Sequence, residues 1–171
     1  MDVRGLIDGG AVSSNVKGGL IMRLSRKHIR ELLFLLLFRR EFFSPDEMKE
    51  QEGLFFENLA VLPDTLLTSM KLTPETTGQL DEEREYITAK LTGILDHIGE
   101  LDETIGRISQ GWRLNRLGKV ELAILRLAAY EIQMDPDIPT GVAINEAVVL
   151  TKRYSGEESA RFVNGVLAKL A

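Results

Sequence analysis

Arg23, Arg26, Lys27 and Arg30 stand at i, i+3, i+4 and i+7, a spacing that gathers four cations on one helical face. Continuing that face in steps of four leads to Phe34 and Phe38. Arginines hold phosphates and rings stack bases, so cations beside aromatics have the composition that single-stranded RNA requires. The same residues also describe a solvated basic turn leading into a buried helix. Leu32 to Phe38 are seven consecutive apolar residues, which places Phe34 and Phe38 in a core.

A second candidate ring lies near the C-terminus. Val163, Val166, Leu167 and Leu170 form the apolar stripe of a last helix, and Phe162 sits about 100° round from it. It reads either as a half-exposed stacking ring or as an edge residue packed against the preceding helix. Gly165 inside that helix costs about 1 kcal/mol relative to alanine. A close approach by another helix or by RNA would explain that cost. Trp112, the only tryptophan, reads as the hydrophobic anchor of a turn.

Catalytic chemistry is not signalled. The chain has no cysteine, which excludes disulfides, thiol nucleophiles and cysteine–zinc sites and fits a reducing, cytoplasmic setting. It has neither a GxxxxGK phosphate loop nor an HExxH pair. His28 and His97 each stand without a second ligand-type neighbour at metal spacing, and Asp81-Glu82-Glu83 reads as a solvated helix face. The expectation is a binding protein and not an enzyme, with no cofactor and no metal.

Charge sharpens this. The net charge of −5 argues against a generic nucleic-acid binder, but the distribution is polarised. Between Met22 and Arg40, six cations (Arg23, Arg26, Lys27, Arg30, Arg39, Arg40) face one anion, Glu31. A basic contact surface at one end of an acidic body follows. The seven-residue apolar run is far short of the roughly 20 needed to cross a bilayer. Residues 1–22 are glycine-rich, without helical period or the apolar core of a signal peptide. They read as a disordered leader or a stretch upstream of a start at Met22.

The elements that must position these residues are helical almost throughout. Ser25 caps a first helix reaching about Phe43, and Asp46 to Leu62 reads as a second. Pro63 to Lys71 reads as a short helical piece, Thr73-Pro74-Glu75 begins the next element, and Gln79 to His97 carries helical apolar spacing. Gly99 and Gly106 bracket a shorter helix. Leu117 to Met134 is apolar nearly all round and therefore central. Thr140 to Tyr154 and a helix from about Glu158 complete the chain, with Ser155-Gly156 between them.

The C-terminal motifs carry a resemblance. Leu117-Gly118-Lys119-Val120-Glu121, Ile124 to Glu131, Ile138-Pro139, Val142-Ala143-Ile144-Asn145-Glu146-Ala147-Val148, Lys152 and Phe162-Val163-Asn164-Gly165-Val166-Leu167 resemble the NusB antitermination family in order and spacing. Ser25 to Glu31 is similar to the family's arginine-rich opening, although His28 and Ile29 interrupt it. Phe38 stands where many members have tyrosine.

The resemblance implies an all-α fold of two packed three-helix bundles with about seven helices, a single domain over 23–171. Its halves would be about 23–80 and 81–171. It implies a factor that binds boxA RNA of ribosomal operon transcripts together with NusE, a small-subunit ribosomal protein, within an RNA polymerase antitermination complex. A homodimer is also open. By position, Arg26, Lys27 and Arg30 match the family's RNA-binding opening. Ser159, Arg161 and Phe162 match a second RNA-contacting patch on the last helix, and Glu121 matches a position on the NusE-facing central helix. Two other readings stand beside this one. Similar modules precede catalytic domains in ribosomal RNA cytosine methyltransferases, against which the end of the chain at Ala171 counts. The other is a protein-only dimeric scaffold.

Overall fold

Ser25 opens the first helix as predicted: its backbone stays extended while its Oγ accepts the His28 N–H at 3.3 Å. The computed structural model describes residues 16–17, 20–21, 23–110 and 117–171. Two short strands, β1 (Val16–Lys17) and β2 (Leu20–Ile21), pair antiparallel. The rest of the expected leader, and Trp112, lie outside the described residues.

Eight α-helices follow among the described residues: α1 (Arg26–Phe38), α2 (Met48–Glu57), α3 (Asp64–Ser69), α4 (Asp81–Asp96), α5 (Ile98–Ile108), α6 (Lys119–Met134), α7 (Thr140–Tyr154) and α8 (Glu157–Ala168). Helix α6 is the centre, as its all-round apolar pattern predicts. Leu122 to Leu125 and Leu127 to Ala129 are buried, and α1, α4, α5, α7 and α8 all pack on it. One hydrophobic cluster runs from Leu24 through α1, α4 and α6 to Leu167.

Several boundaries differ from the sequence reading for local reasons. Helix α1 stops at Phe38, where a 3-10 turn brings the Phe42 and Phe43 N–H groups onto the Arg39 carbonyl at 2.9 and 3.0 Å. The expected helix from Asp46 to Leu62 breaks at Asn58, whose side-chain amide and backbone N–H both donate to the Leu54 carbonyl, ending α2 there. Thr73 to Thr76 closes a turn on itself, and α4 waits until Asp81. Gly99 and Gly106 do not bracket a helix but lie within α5, because Leu101 and Ile105, both fully buried, anchor its inner face and override the glycines' low propensity.

Glu83 also departs from expectation. Instead of joining a solvated acidic face, it is fully buried, and its Oε1 accepts the backbone N–H groups of Arg23 and Leu24. Two donors from the segment before α1 thus tie that segment to α4. A second tie is the Arg126 guanidinium, which grips Asp102 of α5 at 2.7 and 2.9 Å and also bonds Glu41 after α1.

Gly93 has a tertiary reason that no pattern reveals. A Cβ there would meet the Tyr130 ring of α6, 3.0 Å from Cζ and closer still to the hydroxyl. The aromatic ring is rigid, so α4 comes this close to α6 only with glycine. Gly93→Ala is therefore expected to lose about 1–3 kcal/mol through overpacking, despite alanine's better helix propensity. Gly99→Ala, where a Cβ meets nothing, is expected to gain up to about 1 kcal/mol. Urea unfolding of both variants checks the contrast. Equal shifts would remove the close-approach argument.

Candidate nucleic-acid interface

The first turn of α1 presents Arg26 and Lys27 to solvent. Arg23, expected on the same stripe, precedes the helix, remains exposed and donates through Nη1 to Gln79 Oε1 at 2.6 Å. Arg30 corrects the stripe more deeply. It is 7% exposed, and its Nε and Nη2 make a paired contact with the Glu131 carboxylate at 2.8 and 2.7 Å. Glu146 of α7 lies 3.9 Å from its Nη1, and Lys90 of α4 reaches Glu131 at 3.1 Å.

The reason is depth, not rotation. Four residues along a helix advance about 6 Å. That step carries Arg30 from the open first turn into the space enclosed by α4, α6 and α7. From Ile29 onward almost every α1 residue is buried, Phe34 included, while Phe38 is half-buried. A guanidinium so engaged is not free to contact RNA; it fastens the helix that carries Arg26 and Lys27.

Beside Arg30, Glu31 is also fully buried. Its Oε1 accepts Nη1 of Arg153 at 2.6 Å and Oη of Tyr154 at 2.8 Å. The Tyr154 ring packs on Phe34 with centroids 4.9 Å apart, so the end of α7 is clamped to α1 by charge and by rings. Burial and the Glu31 carboxylate push the Tyr154 hydroxyl well above the ordinary tyrosine range. At the edge of this cluster His28 is held below the usual histidine range, chiefly by burial, with Lys27 and Arg153 adding to it against the pull of Glu31.

Helix α7 turns into α8 at Gly156, whose φ of 159° with ψ of 179° is a conformation that other residues rarely adopt. The turn delivers Ser159, Arg161 and Phe162. Arg161 is exposed, and Phe162 is half-buried with its ring against the core. Of the two readings left open for Phe162, the structure combines parts of each. Gly165 is exposed and a Cβ there would meet nothing, so no helix among the described residues accounts for it.

Glu121, near the N-terminus of α6, accepts a hydrogen bond from Ser155 Oγ, and Ser155 Oγ lies 3.0 Å from Ser159 Oγ. Burial resists the Glu121 charge, yet hydrogen bonds from Ser155, its own backbone and Ser159 outweigh it and hold the carboxyl below its ordinary range. Glu121, expected to face a protein partner, and Ser159, expected to face RNA, thus meet through Ser155. Sequence reasoning missed Ser155, Arg153, Tyr154 and Glu31. Their pairings join residues more than 120 positions apart, or meet in a turn, and leave no periodic signal. Among the described residues no group of three or more His, Asp or Glu side chains is placed to hold a metal ion.

The sequence profile described as the NusB family matches residues 27–171. The chain belongs to the NusB family. The transcription antitermination protein NusB of Agathobacter rectalis is 47% identical over 148 residues, covering 86% of this chain and all of the relative. That of Lachnoclostridium phytofermentans is 43% identical over 86% of this chain and 98% of the relative. Among solved structures, T. maritima NusB is 32% identical with a TM-score of 0.65, covering 86% of this chain and 90% of that one. A crystal structure of the antitermination factors NusB and NusE in complex with double-stranded RNA is 26% identical with a TM-score of 0.61. It covers 85% of this chain and 94% of that one. The matches to NusB-family structures fit the all-α architecture described above.

Proposed function

We propose that this NusB-family protein is a transcription antitermination factor that binds boxA-type RNA of ribosomal operon transcripts together with NusE, in the cytoplasm, as part of an RNA polymerase antitermination complex. It works as an adaptor that holds RNA and a protein partner, without catalysing a reaction and without a cofactor. The observation that carries this reading is the meeting of Glu121, Ser155 and Ser159 at the start of α8, the helix that also carries the exposed Arg161 and the half-buried Phe162. The exposed cations Arg26 and Lys27 lie on α1, the helix clamped to the end of α7. The relatives' shared name and the solved complex of NusB, NusE and RNA support it.

In this reading Arg26, Lys27 and Arg161 hold phosphates, Phe162 offers the exposed part of its ring to a base, and Ser159 hydrogen-bonds the RNA. Glu121 meets NusE, and Arg30 serves as the internal fastening of α1. Fluorescence anisotropy of a labelled boxA RNA, titrated with and without NusE at two salt concentrations, tests it. Binding that weakens with salt, tightens with NusE and disappears on a scrambled RNA is the expected result. No binding to any RNA with NusE present sinks the RNA half of the proposal and leaves a protein-only scaffold.

Phe162→Ala is expected to weaken RNA binding by roughly 1–3 kcal/mol through lost stacking. Because the ring is half-buried, a loss of stability accompanies it. The two effects separate when anisotropy is read well below the variant's unfolding temperature. Unchanged affinity there would make Phe162 a packing residue alone.

A further inference from the structure

The end of α7 touches both the helix that carries Arg26 and Lys27, through Arg153 and Glu31, and the helix that carries Arg161 and Phe162, through Ser155 and Ser159. Lys152 and Arg153 there are 50% and 43% exposed. Arg153 reaches Glu31 at 2.6 Å, and Glu31 follows Lys27 by four residues, one helical turn along the same face. On the other side, Ser155 lies 3.0 Å from Ser159 of α8. Arg153 therefore sits on the helix end that contacts α1 directly and contacts α8 two residues later, through Ser155.

Its side chain is held in place. A guanidinium carries five N–H donors in a rigid fork, and one of them bonds Glu31. Among the described residues Arg153 is the cation paired with that fully buried carboxylate. Tyr154 bonds the same carboxylate oxygen, which fixes Glu31 from a second direction. The outer part of the fork is left towards solvent, pre-oriented, and a planar fork of this kind matches phosphate oxygens.

We propose that Arg153 is a further RNA-contacting residue, a phosphate-binding guanidinium positioned by Glu31 that joins the α1 and α8 patches into one track. This rests on the RNA-binding reading above. The competing role is neutralisation of Glu31 alone, and removing Arg153 by itself would confuse the two by stranding a buried charge. The test therefore compares Glu31→Gln with Glu31→Gln/Arg153→Gln, in both of which the buried carboxylate is gone.

Affinity for a labelled boxA RNA is measured by anisotropy over a series of salt concentrations, with thermal unfolding as the check on folding. The double variant is expected to bind about tenfold more weakly at low salt than Glu31→Gln. Its log–log salt slope is expected to be shallower by about 0.7, the contribution of one phosphate on a single strand. Glu31→Gln/Arg153→Lys is expected to keep the slope, since the charge remains. Equal affinities and slopes for Glu31→Gln and the double variant would overturn the proposal while leaving the RNA-binding reading intact. Absence of salt-sensitive RNA binding by the unmodified protein would overturn both. A second measurement needs no variant: boxA RNA should protect Arg153 from an arginine-directed reagent such as phenylglyoxal. Undiminished modification in the RNA complex would equally overturn it.

Discussion

Arg30→Ala is expected to lose about 3 kcal/mol of stability, which in a chain of this size lowers the thermal midpoint by roughly 10 °C. The size follows from what remains behind. Glu131 is 1% exposed and loses both arms of a paired contact, so a carboxylate is left in the interior with only part of its compensation. Removing one partner of such a pair typically costs about 3–5 kcal/mol. The lower end applies because Lys90 still reaches Glu131 at 3.1 Å.

Replacing both partners separates loss of the pair from loss of its balance. Arg30→Met/Glu131→Leu removes both charges while keeping most of the volume, and is expected to recover much of the stability lost in Arg30→Ala. Urea and thermal unfolding of both variants check this. A fully stable Arg30→Ala would contradict the buried pair. RNA affinity adds a second reading. If Arg30 only fastens α1, the folded double variant binds RNA with an unchanged salt slope, whereas a direct phosphate contact would make the slope shallower.

The opposite signature is expected at the exposed first turn. Arg26→Glu/Lys27→Glu leaves helicity and the unfolding midpoint nearly unchanged, because both side chains are exposed. Two acidic residues in the first turn are even favourable to the helix N-terminus. RNA binding is expected to collapse instead. Each lost charge-assisted phosphate contact is worth about 1.5 kcal/mol, roughly tenfold in affinity. Two such losses approach a hundredfold, before the repulsion between the new acids and the backbone is counted. The salt slope falls by about 1.4, or 0.7 for each phosphate on a single strand. Wild-type affinity in this variant would place the RNA elsewhere. A large loss of stability would mean that this turn is part of the core.

Together the two variants divide a stripe that is uniform in sequence. Arg26, Lys27 and Arg30 share spacing and charge, and nothing local distinguishes them. What separates them is that α1 is wrapped by α4, α6 and α7 after its first turn. Position along the helix axis relative to other elements is invisible to a pattern that records only angle around it.

By itself, the sequence determined the helical class, the central place of α6 and the Ser25 cap. These follow from apolar period and from side chains that bond their own backbone within a few residues. It also marked Arg26, Lys27, Arg161, Ser159 and Glu121 as members of recognisable motifs. Tertiary structure alone decided which cations are free, why Gly93 must be glycine and where Glu121 and Ser159 meet. Only it could pair Arg30 with Glu131 and Glu31 with Arg153 across more than a hundred residues. Those outcomes depend on which helices enclose a side chain, and burial converts an exposed, weakly held charge into a structural fastening.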